Sequence, residues 1–118
     1  MSLDGANQVS AVWSIGTDPS PVLNKWTHVG CTHDGTNIRL YVNGTQKAVS
    51  GTAAGSLFNN GTPFTIGSRP TFSNGYFQWL VDELRVYNRA LSPAEISSLA
   101  MATTPAPTAG LISYYSFD

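Results

Sequence analysis

Carboxylate side chains are scarce in this chain of 118 residues, which contains seven Asp and Glu in total. Glycoside hydrolysis usually needs two carboxyl groups on either side of a cleft. The only glutamates are Glu83 and Glu95, and Glu95 belongs to Ser92-Pro93-Ala94-Glu95, a helix capping box. The chain has no Gly-x-Ser-x-Gly motif, no phosphate-binding loop and no Cys–His pair suited to catalysis. The sequence therefore predicts a protein that is not an enzyme.

Aromatic residues offer binding chemistry instead, and they make up 11% of the chain. Exposed Trp and Tyr rings suit the apolar C–H face of a sugar, because both surfaces are flat and apolar. Phe72, Tyr76 and Trp79 lie near a glycine-rich loop and are the predicted ligand-binding residues. The alternative for each of them is packing inside the fold, which is the more common role of an aromatic side chain.

Asp82 is the acidic residue whose position is most informative. In a predicted strand over 77–87 it shares a face with Leu80, Leu84 and Val86, and we expect that face to be buried. A carboxylate on a buried face needs hydrogen bonds or a cation. The sequence leaves two interpretations open: a metal ligand, or a residue bonded to backbone N–H groups or to nearby arginines.

The histidines and the single cysteine are weaker candidates. His28 and His33 are five residues apart in one predicted strand, so their side chains lie on opposite faces and do not share a metal. We expect His28 to form local hydrogen bonds. Cys31 shares the Val29 face and is predicted to be a small buried side chain.

The elements that position these residues are short strands separated by turn sequences. Asp34-Gly35 and Asn43-Gly44 separate β-rich runs and predict a three-stranded meander over 26–49, because such turns need positive φ values. Alternation along the middle strand predicts two side-chain sets on opposite faces: Ile38, Leu40 and Val42 on one, Arg39 and Tyr41 on the other.

The remaining elements extend this pattern. Further strands are predicted at 9–15, 64–68, 77–87 and 111–117, with a linker rich in Pro, Thr and Ala over 101–110. Ser92 starts a helix of about two turns. Some seven short strands and one short helix near the C-terminus predict an all-β sandwich.

Charge excludes several classes of partner. Charged residues are 11% of the chain and the net charge is −1. Nucleic acid binding needs a clustered basic surface, and a polybasic membrane anchor needs one too. The chain also has no apolar run approaching the roughly 18 residues of a membrane-spanning helix. We therefore expect neither nucleic acid binding nor membrane insertion.

Two stretches go beyond a general strand pattern: the first is Trp26-Thr27-His28-Val29 with 34–44, and the second is 81–96, with Phe64-Thr65-Ile66-Gly67 between them. Together they resemble the C-terminal half of a laminin G-like domain, a family of the concanavalin A-like lectin/glucanase superfamily. The resemblance covers roughly 9–100 and implies an antiparallel jelly-roll-like sandwich of two sheets.

The end of the chain adds a second resemblance. Residues 110–118 resemble the opening strand of the same family, which in the family lies beside the strand that contains Asp82. The chain thus looks like the end of one repeat joined to the start of the next. The predicted strand over 111–118 either completes its own sheet or pairs with a neighbouring copy in a strand-swapped homo-oligomer.

The resemblance also implies a function. An aspartate at the position of Asp82 often holds a structural calcium in this superfamily, with oxygens from the opening strand, so Asp82 and Asp118 are the expected metal ligands. The acidic cluster of the superfamily's glucanases is absent. The expectation is a secreted or cell-surface recognition module for carbohydrate or an extracellular protein. The alternatives are a structural spacer or assembly module of a repetitive surface protein, and a glycosidase fragment.

Overall fold

The computed structural model describes residues 24–50, 66, 80–102 and 105–117. In these ranges it has, in chain order, β1 Val29–His33, β2 Ile38–Val42, β3 Thr45–Val49, β4 Leu84–Tyr87, α1 Pro93–Met101 and β5 Leu111–Tyr115. Strands β1, β2 and β3 form one antiparallel sheet in that order, and β4 and β5 form a second. The predicted all-β fold with one short helix near the C-terminus is confirmed. The predicted strands at 9–15 and, apart from Ile66, at 64–68 lie outside the described residues.

Tight turns connect the strands of the first sheet where the sequence predicts them. Between β1 and β2, Asp34 Oδ1 accepts hydrogen bonds from two backbone N–H groups of the turn, at 2.8 and 2.9 Å. Between β2 and β3, Asn43 and Gly44 have φ values of 49° and 78°, as a type I′ turn requires. Asn43 also exchanges hydrogen bonds with the backbone of His28, at 3.0 and 2.8 Å, and this fixes the start of β1.

Among the described residues, a buried cluster lies between the first sheet and α1. Tyr41, which is 2% exposed, forms it with Leu91 and Ile96, and Tyr87 and Leu99 pack against these three. The helix therefore covers the face of β2 that the alternation assigns to Tyr41. A helix of nine residues is too short to be stable alone, so its apolar contacts with the sheet hold it in place.

On the opposite face of the first sheet, side chains of the central strand β2 are buried and side chains of the edge strand β1 are exposed. Ile38 and Val42 of β2 are buried, whereas Val29 and Cys31 of β1 are exposed. The expectation that Cys31 is buried is therefore wrong. In the described part of the chain β1 pairs with β2 alone, so its side chains have a neighbouring strand on one side only.

Gly44 brings the second turn of the meander against α1. A Cβ atom at this position would lie 3.0 Å from Ser97 Cα and 3.3 Å from Ala100 Cβ. The approach is close because the turn runs past the helix backbone itself. Glycine is required here twice, by this contact and by the positive φ.

Strand β4 is shorter than the sequence predicts. It begins at Leu84, because Glu83 has a φ of +54° and breaks the extended backbone. Residues before this break do not continue the two faces of β4. Leu80 is 82% exposed and Asp82 is also exposed, so the expectation of a buried Leu80 and Asp82 face is wrong.

Strand β5 pairs with β4 of the same chain, which is the first of the two alternatives for its partner. Leu84 lies opposite Tyr115, and Arg85 opposite Tyr114. The segment before β5 is held in place by what we call the 87–89 clamp: Tyr87 Oη donates to Pro107 O at 3.0 Å, Asn88 N to Gly110 O at 2.8 Å and Arg89 Nε to Ala109 O at 2.8 Å. The described end of the predicted linker is therefore bonded to the chain ahead of α1.

Candidate functional site

Part of the predicted site lies beyond the described residues. Phe72, Tyr76 and Trp79, the predicted ligand-binding residues, and Asp118, one predicted metal ligand, fall outside them. Their roles stay predictions. Asp82 is described, and its surroundings show what its carboxylate does.

Asp82 joins the residue before β4 to the residues after β5. Its Oδ1 accepts hydrogen bonds from Glu83 N at 2.7 Å and from Phe117 N at 3.1 Å. This is the backbone-bonded interpretation that the sequence left open. Calcium needs six to eight oxygen ligands, and the described residues contain no group of three or more His, Cys, Asp or Glu that could hold a metal. Ligation of calcium by Asp82 with Asp118 stays a prediction.

Two aromatic rings stand exposed at the end of β5, and we call Tyr115 and Phe117 the β5 aromatic pair. Tyr115 is the last residue of β5, and Phe117 lies two residues beyond it. The residues are 51% and 61% exposed, the ring centroids are 6.4 Å apart and the ring planes differ by 22°. The hydrogen bond from Phe117 N to Asp82 fixes the backbone beneath the second ring. The pair is thus a pre-formed apolar surface.

The other face of the β4–β5 sheet is held by a polar network. The Arg85 guanidinium lies 4.6 Å from the centroid of the Tyr114 ring, a cation–π contact. Tyr114 Oη donates to Glu83 Oε1 at 2.6 Å, and Glu83 also forms an ion pair with Arg85. These contacts, on the sheet face that carries Arg85 and Tyr114, help to fix the register of β5 on β4.

An open groove of about 470 Å³ lies between the meander and the start of α1, and we call it the meander–helix groove. The sheet contributes Thr32, Arg39, Tyr41 and Gln46, and the turn after β1 contributes Asp34. The other wall is the chain from 89 to 93, with Glu95. The cross-strand pairs of Thr32 with Arg39 and of Tyr41 with Gln46 place these side chains on one face.

An ion pair lies on each side of the groove. Arg89 donates from Nη2 to Glu95 Oε1 at 2.6 Å and from Nη1 to Oε2 at 3.0 Å, a bidentate pair. This guanidinium and the backbone N–H of Ser92 lower the pKa of Glu95 to about 2. On the other side, hydrogen bonding to Arg39 lowers the pKa of Asp34. The described groove thus carries two cations and two anions that neutralise each other.

His28 takes no part in either surface. Its Nδ1 is buried and has no hydrogen-bond partner among the described residues, so this atom does not make the local hydrogen bond expected from the sequence. Burial lowers the pKa of His28, and the positive charge of Arg85 lowers it further. The ring carbon Cε1 lies 3.6 Å from the position that a Cβ on Gly30 would take. His28 is therefore a packed side chain whose environment disfavours the charged imidazolium.

Neither described surface was predicted, although the sequence contains a signal for the β5 aromatic pair and for one wall of the groove. Tyr115 and Phe117 are two apart in a predicted strand, which places them on one side. Arg39 and Tyr41 share a face by the same alternation. The sequence carries no signal that the other wall of the groove, 50 residues later, folds against that face.

The family model described as the concanavalin A-like lectin/glucanases superfamily, a laminin G type, matches residues 2–97. The 2.1 Å crystal structure of a fragment of an S-layer domain-containing protein from Clostridium thermocellum ATCC 27405 is similar in fold, with a TM-score of 0.59 and 30% sequence identity. The similarity covers 69% of this chain and 42% of that chain. The search of curated proteins found no match.

Proposed function

Because this chain belongs to the concanavalin A-like lectin/glucanases superfamily, we propose that it is a recognition module of a surface protein and that it binds carbohydrate. The family and the S-layer domain-containing neighbour both fit a non-catalytic surface module. Fold alone does not specify function, so the proposal depends on a site. No helix in the described ranges is long and apolar enough to cross a membrane.

The observation that carries the proposal is the β5 aromatic pair. Two nearly parallel rings, from residues that are each at least half exposed, form an apolar surface at the end of β5, a strand that is hydrogen bonded along β4. A sugar ring stacks on such a surface through its C–H face. Because the backbone below the rings is already ordered, binding does not require ordering of that segment, which favours affinity.

The aromatic residues predicted from the sequence belong to the same proposal. Phe72, Tyr76 and Trp79 are expected to add stacking surface for further sugar units of a polysaccharide. Calcium held by Asp82 and Asp118 is proposed as a structural ion beside the β5 aromatic pair, because Asp82 bonds to Phe117 N. The secreted or cell-surface location is part of the same proposal.

The experiment is affinity electrophoresis of the chain in gels that contain soluble polysaccharides, with calcium and then with chelator. We expect retardation in at least one polysaccharide and its loss in Tyr115→Ala and Phe117→Ala. Met101→Ala is the matched control, because Met101 is apolar and 61% exposed like Phe117 but lies at the end of α1. Retardation that both aromatic variants retain, or that Met101→Ala also loses, would contradict the proposal.

A structural module that connects repeats of a surface protein is the second candidate function. The exposed apolar side chains of Leu80, Ile112 and the β5 aromatic pair favour it, because exposed apolar surface commonly marks contacts between proteins. Here Tyr115→Ala and Phe117→Ala would shift the chain towards monomer in light scattering and leave polysaccharide retardation absent. An extracellular protein partner is the remaining form of this alternative.

A further inference from the structure

We propose that the meander–helix groove binds a small neutral polyhydroxylated molecule, such as a single sugar unit, at a site separate from the β5 aromatic pair. The proposal goes beyond carbohydrate binding on the aromatic surface, because it adds a second site with different ligand chemistry. It does not require that the first site binds anything.

The size of the groove suits a ligand of this class. Small-molecule sites commonly have volumes of about 300–1,000 Å³ and combine apolar lining with a few convergent polar groups. This groove has about 470 Å³. Ala90, Leu91 and Pro93 supply apolar surface on one wall, and Thr32 and Gln46 supply polar side chains on the other.

Both walls are fixed before any ligand arrives. On the sheet side, Asp34 bonds to the backbone of its own turn and forms an ion pair with Arg39. On the helix side, Glu95 accepts hydrogen bonds from Ser92 N and from Arg89, and Arg89 Nε is bonded to Ala109 O. A ligand therefore does not have to order these side chains.

The charges of the groove select the chemistry of the ligand. Each guanidinium in it already faces a carboxylate. An anionic or cationic ligand would have to displace one partner or remain next to a charge of its own sign. A hydroxyl group both donates and accepts hydrogen bonds, so it contacts a carboxylate oxygen and a guanidinium N–H without separating the pair. Adjacent hydroxyls of one sugar ring repeat this pattern.

The test is a titration of the ¹⁵N-labelled chain followed by amide chemical shifts. The probes are methyl glycosides of glucose, galactose and mannose, together with inositol, up to roughly 50 mM, because a ligand with few contacts binds with a Kd near the mM range. Sodium acetate and 1-propanol are the anionic and mono-hydroxyl controls. We expect saturable shifts at the amides of Thr32, Gln46 and Ser92 with at least one polyol, and with neither control.

Two variants remove single polar groups from the groove. Gln46→Ala shortens an exposed side chain, and Thr32→Val replaces a buried hydroxyl by a methyl group. Each should weaken binding about two- to tenfold, the loss of one hydrogen bond. Lys47→Ala is the matched control, since Lys47 is the next residue of β3 and does not line the groove. An unchanged spectrum shows that each variant is folded.

The outcomes separate this site from the aromatic surface. Absence of saturable shifts with all four polyols overturns the proposal. So do shifts with 1-propanol or acetate that equal those with the polyols. An affinity in Gln46→Ala and Thr32→Val equal to that of the parent chain overturns it too. Tyr115→Ala and Phe117→Ala should leave the titration unchanged. If these aromatic variants abolish the groove shifts, the two sites are one and the inference is wrong.

Discussion

The Asp82 carboxylate accepts the backbone N–H of Phe117 at 3.1 Å, across 35 positions of the chain. The same oxygen accepts the N–H of Glu83 at 2.7 Å. One side chain thus holds the residue that precedes β4 and the segment that follows β5. This contact extends the pairing of the two strands past the last residues of their ladder.

Removal of this carboxylate should loosen the end of β5. We expect Asp82→Ala to destabilise the chain by about 1 kcal/mol, or roughly 4 °C in Tm, because two backbone N–H groups lose their acceptor. Asp82→Asn keeps one acceptor oxygen, so its stability should lie between those of the parent chain and Asp82→Ala. Amide hydrogen exchange should accelerate near Phe117 more than in β2. Equal protection near Phe117 in Asp82→Ala and the parent chain would contradict the assignment.

Calcium binding by Asp82 and Asp118 is tested by thermal unfolding. We expect calcium to raise the Tm of the parent chain, because a ligand that binds only the folded state stabilises it. Neither Asp82→Asn nor Asp118→Asn should respond. Magnesium serves as a control ion, since it demands a stricter octahedral geometry. A parent chain that is indifferent to both calcium and chelator would remove the metal site.

Two glycines offer a comparison of backbone strain with steric contact. Gly35 and Gly44 both have positive φ, but a Cβ on Gly35 would have no neighbour within 4 Å, whereas one on Gly44 would meet α1 at Ser97. Gly35→Ala should cost about 1 kcal/mol from φ alone. Gly44→Ala should cost more, because the helix must also move. Urea unfolding measures both, and equal costs would mean that the turn does not press on the helix.

The helix start should lose stability in acid. Hydrogen bonding to Arg89 lowers the pKa of Glu95 to about 2, below its ordinary value of 4.5. A depressed carboxyl pKa contributes stability above the ordinary value, and this contribution is lost as the pH falls from 4.5 through 2. Glu95→Gln should therefore flatten the dependence of Tm on pH in this window. Ser92→Ala, which removes the other half of the capping box, should cost about 1 kcal/mol at neutral pH. A Glu95→Gln profile parallel to that of the parent would refute the assignment.

His28 should give a second pH dependence of stability, at a higher pH than that of Glu95. Its pKa lies below the ordinary 6.5 because of burial and of the nearby Arg85 charge. Below pH 6.5 the unfolded chain binds a proton that the folded chain resists, so stability should fall with pH until the pH has passed the folded pKa. His28→Gln should remove this fall. The check is Tm between pH 8 and 5 for both chains, and identical slopes would show that His28 is not perturbed.

Local features of the fold are predictable from the sequence, because their determinants are adjacent residues. Asp34-Gly35 and Asn43-Gly44 form the predicted turns, and Ser92 with Glu95 forms the predicted capping box. In each case the side chain and the backbone group that it bonds are at most a few residues apart. The alternation of β2 correctly places the side chains of Tyr41 and Val42 on opposite faces of the sheet.

Features that depend on distant contacts or on an unusual φ were not predicted. Glu83 adopts a positive φ that its residue type does not indicate, so the start of β4 and the exposure of Asp82 were missed. Arg89 donates a hydrogen bond to Ala109 O, 20 residues later, and the sequence around neither residue predicts this contact. The groove joins segments about 50 residues apart, whose proximity only the folded chain establishes.

The 87–89 clamp forms hydrogen bonds with backbone atoms of the segment before β5 and with none of its side chains. Its three acceptors are the carbonyl oxygens of Pro107, Ala109 and Gly110. Positions 107–109 are therefore open to sequence drift as long as the path of the chain is kept. Gly110 is the exception, because a Cβ there would lie 2.7 Å from Asn88 Oδ1. Mutational tolerance is thus divided unequally across one contact: broad for positions 107–109, and narrow for Tyr87 and Arg89, whose side chains are the donors.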